Sequence, residues 1–172
     1  MKNFTFHGDP VQIKGEPLKQ GDKAEDFTFV KEDLSEGNLS DYQGKVKVIM
    51  AVPSLDTGVC QKEAKKFNEE LKDYKDNVIG LVVSKDLPFA MKRFCSNEGI
   101  ENVISASDFR YGDFSNEYNL EMVDGPLKGL LARTVYVLDK DNQISYAEFV
   151  NEVSDEPDYS SVMNEVKKAL NQ

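Results

Sequence analysis

The stretch Val46-Lys47-Val48-Ile49-Met50-Ala51-Val52-Pro53-Ser54-Leu55-Asp56-Thr57-Gly58-Val59-Cys60 decides how the chain reads. Its first seven residues are nearly continuous in apolar side chains, as a strand buried on both faces should be. Pro53 ends that run and a short loop follows. A helix is expected from about Cys60 to Tyr74, because Ala64, Phe67, Leu71 and Tyr74 recur at helical spacing. Cys60 therefore sits in the first turn of a helix that leaves a buried strand. Unpaired backbone N–H groups and the positive end of the helix dipole face its sulfur there, which favours a thiolate.

Outward from this stretch, residues 3–6 and 10–13 read as two short strands around Gly8-Asp9, an N-terminal hairpin within about residues 1–15. Phe27-Thr28-Phe29-Val30 is a further strand, followed by an acidic turn region through Ser40. Val78 to Val83 is the next strand, and Pro88 opens a helix with Asp86 as its candidate cap and Gly99 as its stop. That helix carries Phe89, Met91 and Cys95. Val103-Ile104 starts a short strand, and residues 113–120 suggest a small helix. Arg133 to Asp139 and Gln143 to Val150 form a hairpin over Lys140-Asp141-Asn142. Tyr159, Val162, Met163, Val166 and Leu170 then share one face of a closing helix. The β-α-β-α-β order, the late hairpin and the last helix describe one α/β domain over residues 1–172: a thioredoxin-like sandwich with a central mixed sheet flanked by helices.

Composition excludes several classes. Net charge is -10, from 31 acids against 21 bases, which argues against a nucleic-acid partner and against docking to anionic lipid. No apolar run approaches the ~20 residues of a membrane helix. The N-terminus has one lysine and no apolar stretch of signal-peptide length, so a cytoplasmic location is expected. Two cysteines and one histidine cannot supply four structural zinc ligands, and neither a metal nor a cofactor is expected. Thiol chemistry needs only one or two sulfurs. In a reducing compartment, two cysteines are either inert and buried or redox-active.

Ionising an ordinary thiol fully at neutral pH gains about thirtyfold, or about 2 kcal/mol, whereas enzymes accelerate by a million or more. A nucleophile at Cys60 therefore also needs donors that orient a substrate and hold the charge of a departing group. Thr57, three residues before Cys60, is placed for its hydroxyl to face the sulfur across one turn, or to cap the helix. Arg133 opens a late strand after the polar loop Asp124-Gly125-Pro126-Leu127-Lys128-Gly129, but spacing alone does not single it out from the other arginines.

Pro53-x-x-x-Thr57-x-x-Cys60 resembles the active-site motif of the peroxiredoxins, and Pro-Ser-Leu-Asp-Thr-Gly-Val-Cys resembles that of their bacterial thiol peroxidase (Tpx) subfamily. Leu87-Pro88-Phe89-Ala90-Met91-Lys92-Arg93-Phe94-Cys95 is similar to that subfamily's resolving-cysteine helix. The segments Asp124 to Arg133 and Glu156-Pro157-Asp158-Tyr159 are similar too, from about Phe4 to the last helix with both cysteines in register. The resemblance implies an enzyme that reduces hydrogen peroxide and organic hydroperoxides. It makes Cys60 the attacking thiolate, shielded by Pro53, with Thr57 and Arg133 bonding thiolate and peroxide. Cys95 then resolves the sulfenic acid as an intramolecular disulfide. Thioredoxin as reductant and a homodimer are implied as well. One departure is Lys23-Ala24-Glu25-Asp26-Phe27, where the family usually has Ala-Pro-Asp-Phe, so Glu25 lacks the rigid turn of a proline.

Each residue also has a plainer reading. Either cysteine could be a small buried hydrophobe, Arg133 a salt-bridge residue, and Phe89, Phe94 and Tyr118 core. His7 reads as an exposed hairpin residue with no catalytic role, and Lys62, Lys65 and Lys66 as a solvated helix face. A disulfide needs Cα atoms within about 7 Å, so the first turn of the Cys60 helix and the Cys95 helix are expected to unwind together during turnover. A redox relay and a holdase chaperone are competing functions. A thioredoxin-type oxidoreductase is disfavoured by the lack of Cys-x-x-Cys.

Overall fold

The computed structural model describes residues 3–172, so the first two residues of the segment expected to hold the hairpin lie outside it. Phe4–Phe6 (β1) and Asp9–Val11 (β2) pair antiparallel as that hairpin. His7 and Gly8 join them with φ of 51° and 84°, the two left-handed residues that a two-residue turn of this twist requires. Thr28–Val30 (β3), Glu36–Asn38 (β4) and a 3-10 turn at Leu39–Tyr42 follow, then Val46–Ala51 (β5) and helix Gly58–Glu70 (α1). Val78–Ser84 (β6), Pro88–Glu98 (α2), Val103–Ser107 (β7) and Asp113–Tyr118 (α3) continue the alternation. The chain closes with Thr134–Leu138 (β8), Ile144–Phe149 (β9) and Tyr159–Leu170 (α4).

Seven strands form one mixed sheet in the order β4-β3-β7-β6-β5-β8-β9. β5, β6 and β7 run parallel to one another, while β3 lies antiparallel to β7 and β8 antiparallel to β5, giving the expected thioredoxin-like sandwich. Successive side chains of a strand point to opposite faces, and β5 shows how the two cores are built. Val46, Val48 and Met50 pack with Ala64 and Phe67 of α1, Met91 and Cys95 of α2, and Val162 and Val166 of α4. Ile49 and Ala51 pack on the other side with Phe27, Phe29, Phe114 and Tyr118. Lys47 shares the inside of this strand fully buried, its Nζ donating to Asn142 Oδ1 at 2.6 Å.

Several sequence expectations are corrected. α1 begins at Gly58 and ends at Glu70, so Tyr74 lies beyond it, although its ring still packs on the core. β4 falls within the segment expected to be only a turn region, pairing with β3 as an edge strand. Asp86 makes no cap: the residue at the start of α2 is Leu87, with no side-chain cap bond. Phe94 and Tyr118 are core residues, but Phe89 is 66% exposed. The missing proline near Glu25 is offset by tertiary bonds, since Tyr118 Oη donates to the Glu25 carbonyl at 2.7 Å and Ser40 N to Asp26 Oδ1 at 3.1 Å.

Candidate active site

Cys60 is fully buried and outside any disulfide, and it follows Gly58 and Val59 in the opening turn of α1. Its place on the helix explains both facts. Cys60, Ala64 and Phe67 lie on the core-facing side of the helix, so the sulfur is buried at the end where free N–H groups collect. Thr57 holds the N-cap position with extended backbone but makes no side-chain cap bond; its Oγ1 donates back to the Ser54 carbonyl at 2.9 Å. Gln61 Nε2 donates to the Leu55 carbonyl at 2.9 Å and braces the same loop from the helix.

Arg133 is only 2% exposed, just ahead of β8, and its guanidinium is held from three directions. Nε donates to the Val153 carbonyl at 2.8 Å, Nη1 to Glu63 Oε2 at 3.2 Å, and Nη2 to Cys60 Sγ at 3.3 Å. A planar guanidinium fixed this way is a strong stabiliser of negative charge on the sulfur or on an oxygen beside it.

Glu63 was not legible as part of the site. It sits one turn after Cys60, fully buried, and its Oε1 has no hydrogen-bond partner among the described residues. Burial pushes its carboxyl up to about 8, against the opposing pull of Arg133. The carboxyl is therefore easier to protonate than that of an exposed glutamate.

Asp86 also escaped its sequence reading, and its carboxylate shapes the loop before Cys60. Ser54 Oγ donates to Oδ1 at 2.7 Å, while Leu55 N and Ser84 Oγ donate to Oδ2 at 2.7 and 2.6 Å. Its own backbone carbonyl accepts from Ser107 Oγ at 2.6 Å, tying this junction to β7.

A pocket of about 240 Å³ opens at the start of α1, walled by Pro53, Thr57, Gly58, Val59 and Arg133, and the fully buried Cys60 meets that wall through Arg133. Phe6 and His7 of the hairpin, Leu127, Leu130, Val153 and Ser154 complete it, so most of its surface is apolar. His7 is exposed as expected, yet it lines this pocket and packs on Phe6 with ring centroids 4.1 Å apart. Pro53, Thr57, Cys60 and Arg133 thus lie together in one place.

Cys95 lies on α2, outside any disulfide and buried in the core that also holds Cys60. Burial, reinforced by the Glu32 carboxylate, pushes its thiol up to about 11. In this conformer it is a weak nucleophile. Lys62, Lys65 and Lys66 form the exposed face expected of them, with Lys65 bonded to Glu98 at 3.2 Å and Lys66 to Glu70 at 3.4 Å. Among the described residues, no group of three or more His, Cys, Asp or Glu side chains is placed to hold a metal ion.

The Redoxin family model matches residues 19–163. A thiol peroxidase of Leptospira interrogans is 49% identical over 172 residues, covering 99% of this chain and 100% of that protein. A thiol peroxidase of Oceanobacillus iheyensis is 46% identical over 168 residues, covering 98% and 100%. Among solved structures, a peroxiredoxin-like protein from Aquifex aeolicus superposes with a TM-score of 0.93 at 44% identity, covering 98% of each chain.

Proposed function

The chain belongs to the redoxin family, among the thiol peroxidases, and from that premise we propose that it reduces hydroperoxides through Cys60 and Cys95. The observation that carries this reading is the Arg133 guanidinium at 3.3 Å from Cys60 Sγ, at the wall of a largely apolar pocket. The Cys60 thiolate attacks one oxygen of the peroxide, the S–O bond forms and the O–O bond breaks. The departing alkoxide or hydroxide takes up a proton and leaves as alcohol or water. Arg133 holds the charge as it passes from sulfur to oxygen, which is the larger part of what such a site must supply. Thr57, whose proton is directed to Ser54, offers its oxygen lone pairs to the peroxide O–H. Pro53 keeps water from the sulfur.

The Cys60 sulfenic acid is then attacked by the Cys95 sulfur, releasing water and forming the disulfide. Cys95 is buried and its thiol is raised to about 11, so this step follows unwinding of α2 and of the first turn of α1. Thioredoxin, as the resemblance implies, returns two electrons by thiol–disulfide exchange and restores both thiols. The pocket's apolar wall supports organic hydroperoxides as substrates alongside hydrogen peroxide. Among the described residues no helix is long and apolar enough to cross a membrane. A homodimer, also implied by the resemblance, is supported by the exposed apolar side chains of Leu87, Phe89 and Phe109.

The test is stopped-flow oxidation of the reduced protein by hydrogen peroxide and by cumene hydroperoxide, with mass spectrometry of the product. Rapid loss of both thiols with a Cys60–Cys95 disulfide is the expected result. Oxidation no faster than that of a free thiol overturns the reading.

A further inference from the structure

The N-terminal hairpin supplies part of the pocket wall, yet it is a pair of three-residue strands with a turn of two left-handed residues. Such a ribbon does not hold its own position in water. Its base is fixed by apolar packing: Phe4 and Val11 are buried with Ile13, Met122, Ala132 and Val153. Its tip is fixed by one carboxylate. Glu152 Oε1 accepts from Thr5 Oγ1 at 3.0 Å and from Gly8 N at 2.9 Å, while Oε2 accepts from His7 N at 3.2 Å. The same Oε2 accepts from Ser154 N at 3.0 Å and Ser154 Oγ at 2.5 Å. Backbone bonds run alongside, from Thr5 N to the Asn151 carbonyl at 2.7 Å and from Val153 N to the Thr5 carbonyl at 2.8 Å.

Glu152 thus ties together two neighbouring parts of the pocket lining, Phe6 and His7 of the hairpin and Val153 and Ser154 of the segment beside it. We infer that Glu152 is a positioning residue that sets substrate selectivity, holding the hairpin tip where it can cover the organic group of a bulky hydroperoxide. The inference rests on the peroxidase reading and extends it to a residue outside the reacting atoms. Hydrogen peroxide has no organic group for the wall to cover, so its rate depends on Arg133 and Cys60 and not on the tip. Burial works against the Glu152 carboxylate, but the hydrogen bonds from Ser154, Gly8 and Thr5 outweigh it and hold its pKa down at about 2. The knot is therefore ionised throughout the neutral range.

Glu152→Gln tests this directly. The amide keeps the side chain's shape but turns an NH2 group toward backbone and hydroxyl donors, in either orientation. The second-order rate with cumene hydroperoxide is expected to fall about tenfold, with the hydrogen peroxide rate within about twofold of the parent. Thr5→Val removes one hydroxyl donor and should lower the ratio of the two rates about threefold; it carries the test if E152Q does not fold. An equal loss with both peroxides, or an unchanged ratio in folded variants, overturns the role of Glu152. A parent protein that reacts with neither peroxide faster than a free thiol overturns the peroxidase reading instead, so the two failures are told apart.

Discussion

Ser54 Oγ lies 2.7 Å from Asp86 Oδ1, and this contact joins the loop that leads into Cys60 to the junction from which the Cys95 helix starts. The same carboxylate takes Leu55 N at 2.7 Å and Ser84 Oγ at 2.6 Å, so the loop is fixed through both backbone and side chain. These bonds tie the residues just before the Cys60 helix to the residues just before the Cys95 helix. A single carboxylate therefore fixes the approach to both helices.

Asp86→Ala leaves Ser54, Ser84 and the Leu55 amide without their acceptor, and unsatisfied buried donors cost about 1–3 kcal/mol. Thermal unfolding of the reduced protein should shift down accordingly, by roughly 2–4 °C per kcal/mol for a chain of this size. Disulfide formation should gain relative to peroxide attack, because the unwound conformer becomes more populated. Two-phase stopped-flow traces measure both rates. A parallel change in the two phases would refute the latch.

Arg133→Lys keeps the positive charge but cannot reach the Val153 carbonyl, Glu63 and the Cys60 sulfur together with one ammonium. Loss of a preorganised donor at a developing oxyanion costs about 10²–10³ in rate. The peroxide step should slow by that order with hydrogen peroxide and with cumene hydroperoxide alike. That uniform loss is the contrast to the selective one expected for E152Q.

The strand Val46–Ala51 and the helix that follows were legible because their apolar residues keep the period of the element, and Cys60 falls in register with them. β4 was not, since Glu36-Gly37-Asn38 has turn composition. Gly37 is required there because a Cβ would lie 2.8 Å from the Phe29 ring, a cross-strand fact invisible in the chain itself. Glu63 and Glu152 are two ordinary acids among many until the fold brings Arg133 to one and the hairpin to the other. Phe89 follows Pro88 on a helix whose other aromatic, Phe94, is buried, and the pattern does not say which side of the first turn faces solvent. Local period reveals elements. Partners across the sheet decide what a charged residue does.

Cys95→Ser should leave the first oxidation phase within about twofold of the parent, because the guanidinium that bonds the Cys60 sulfur is held by Val153 and Glu63 and not by Cys95. The second phase should vanish, leaving a Cys60 sulfenic acid that a second equivalent of peroxide carries to sulfinic acid. Mass spectrometry after one and after several equivalents reads the difference. A first phase slowed tenfold in the serine variant would mean that Cys95 shapes the peroxide site itself.

Glu63 makes stability depend on pH with a definite sign. Its carboxyl is raised from an ordinary 4.5 to about 8 by burial, so between those values the folded protein holds a proton that the unfolded chain has released. Stability from this group is complete below about pH 4.5 and declines as pH rises toward about 8. Glu63→Gln removes the titrating group while keeping an acceptor for Arg133 Nη1. In a Cys60→Ser background, which takes the thiolate out of the comparison, urea unfolding at pH 5 and pH 8 should show the parent losing stability over that interval and the Gln variant losing much less. Equal losses in the two proteins would show that Glu63 stays ionised beside Arg133, and the guanidinium charge would then be shared with the carboxylate instead of left to the sulfur.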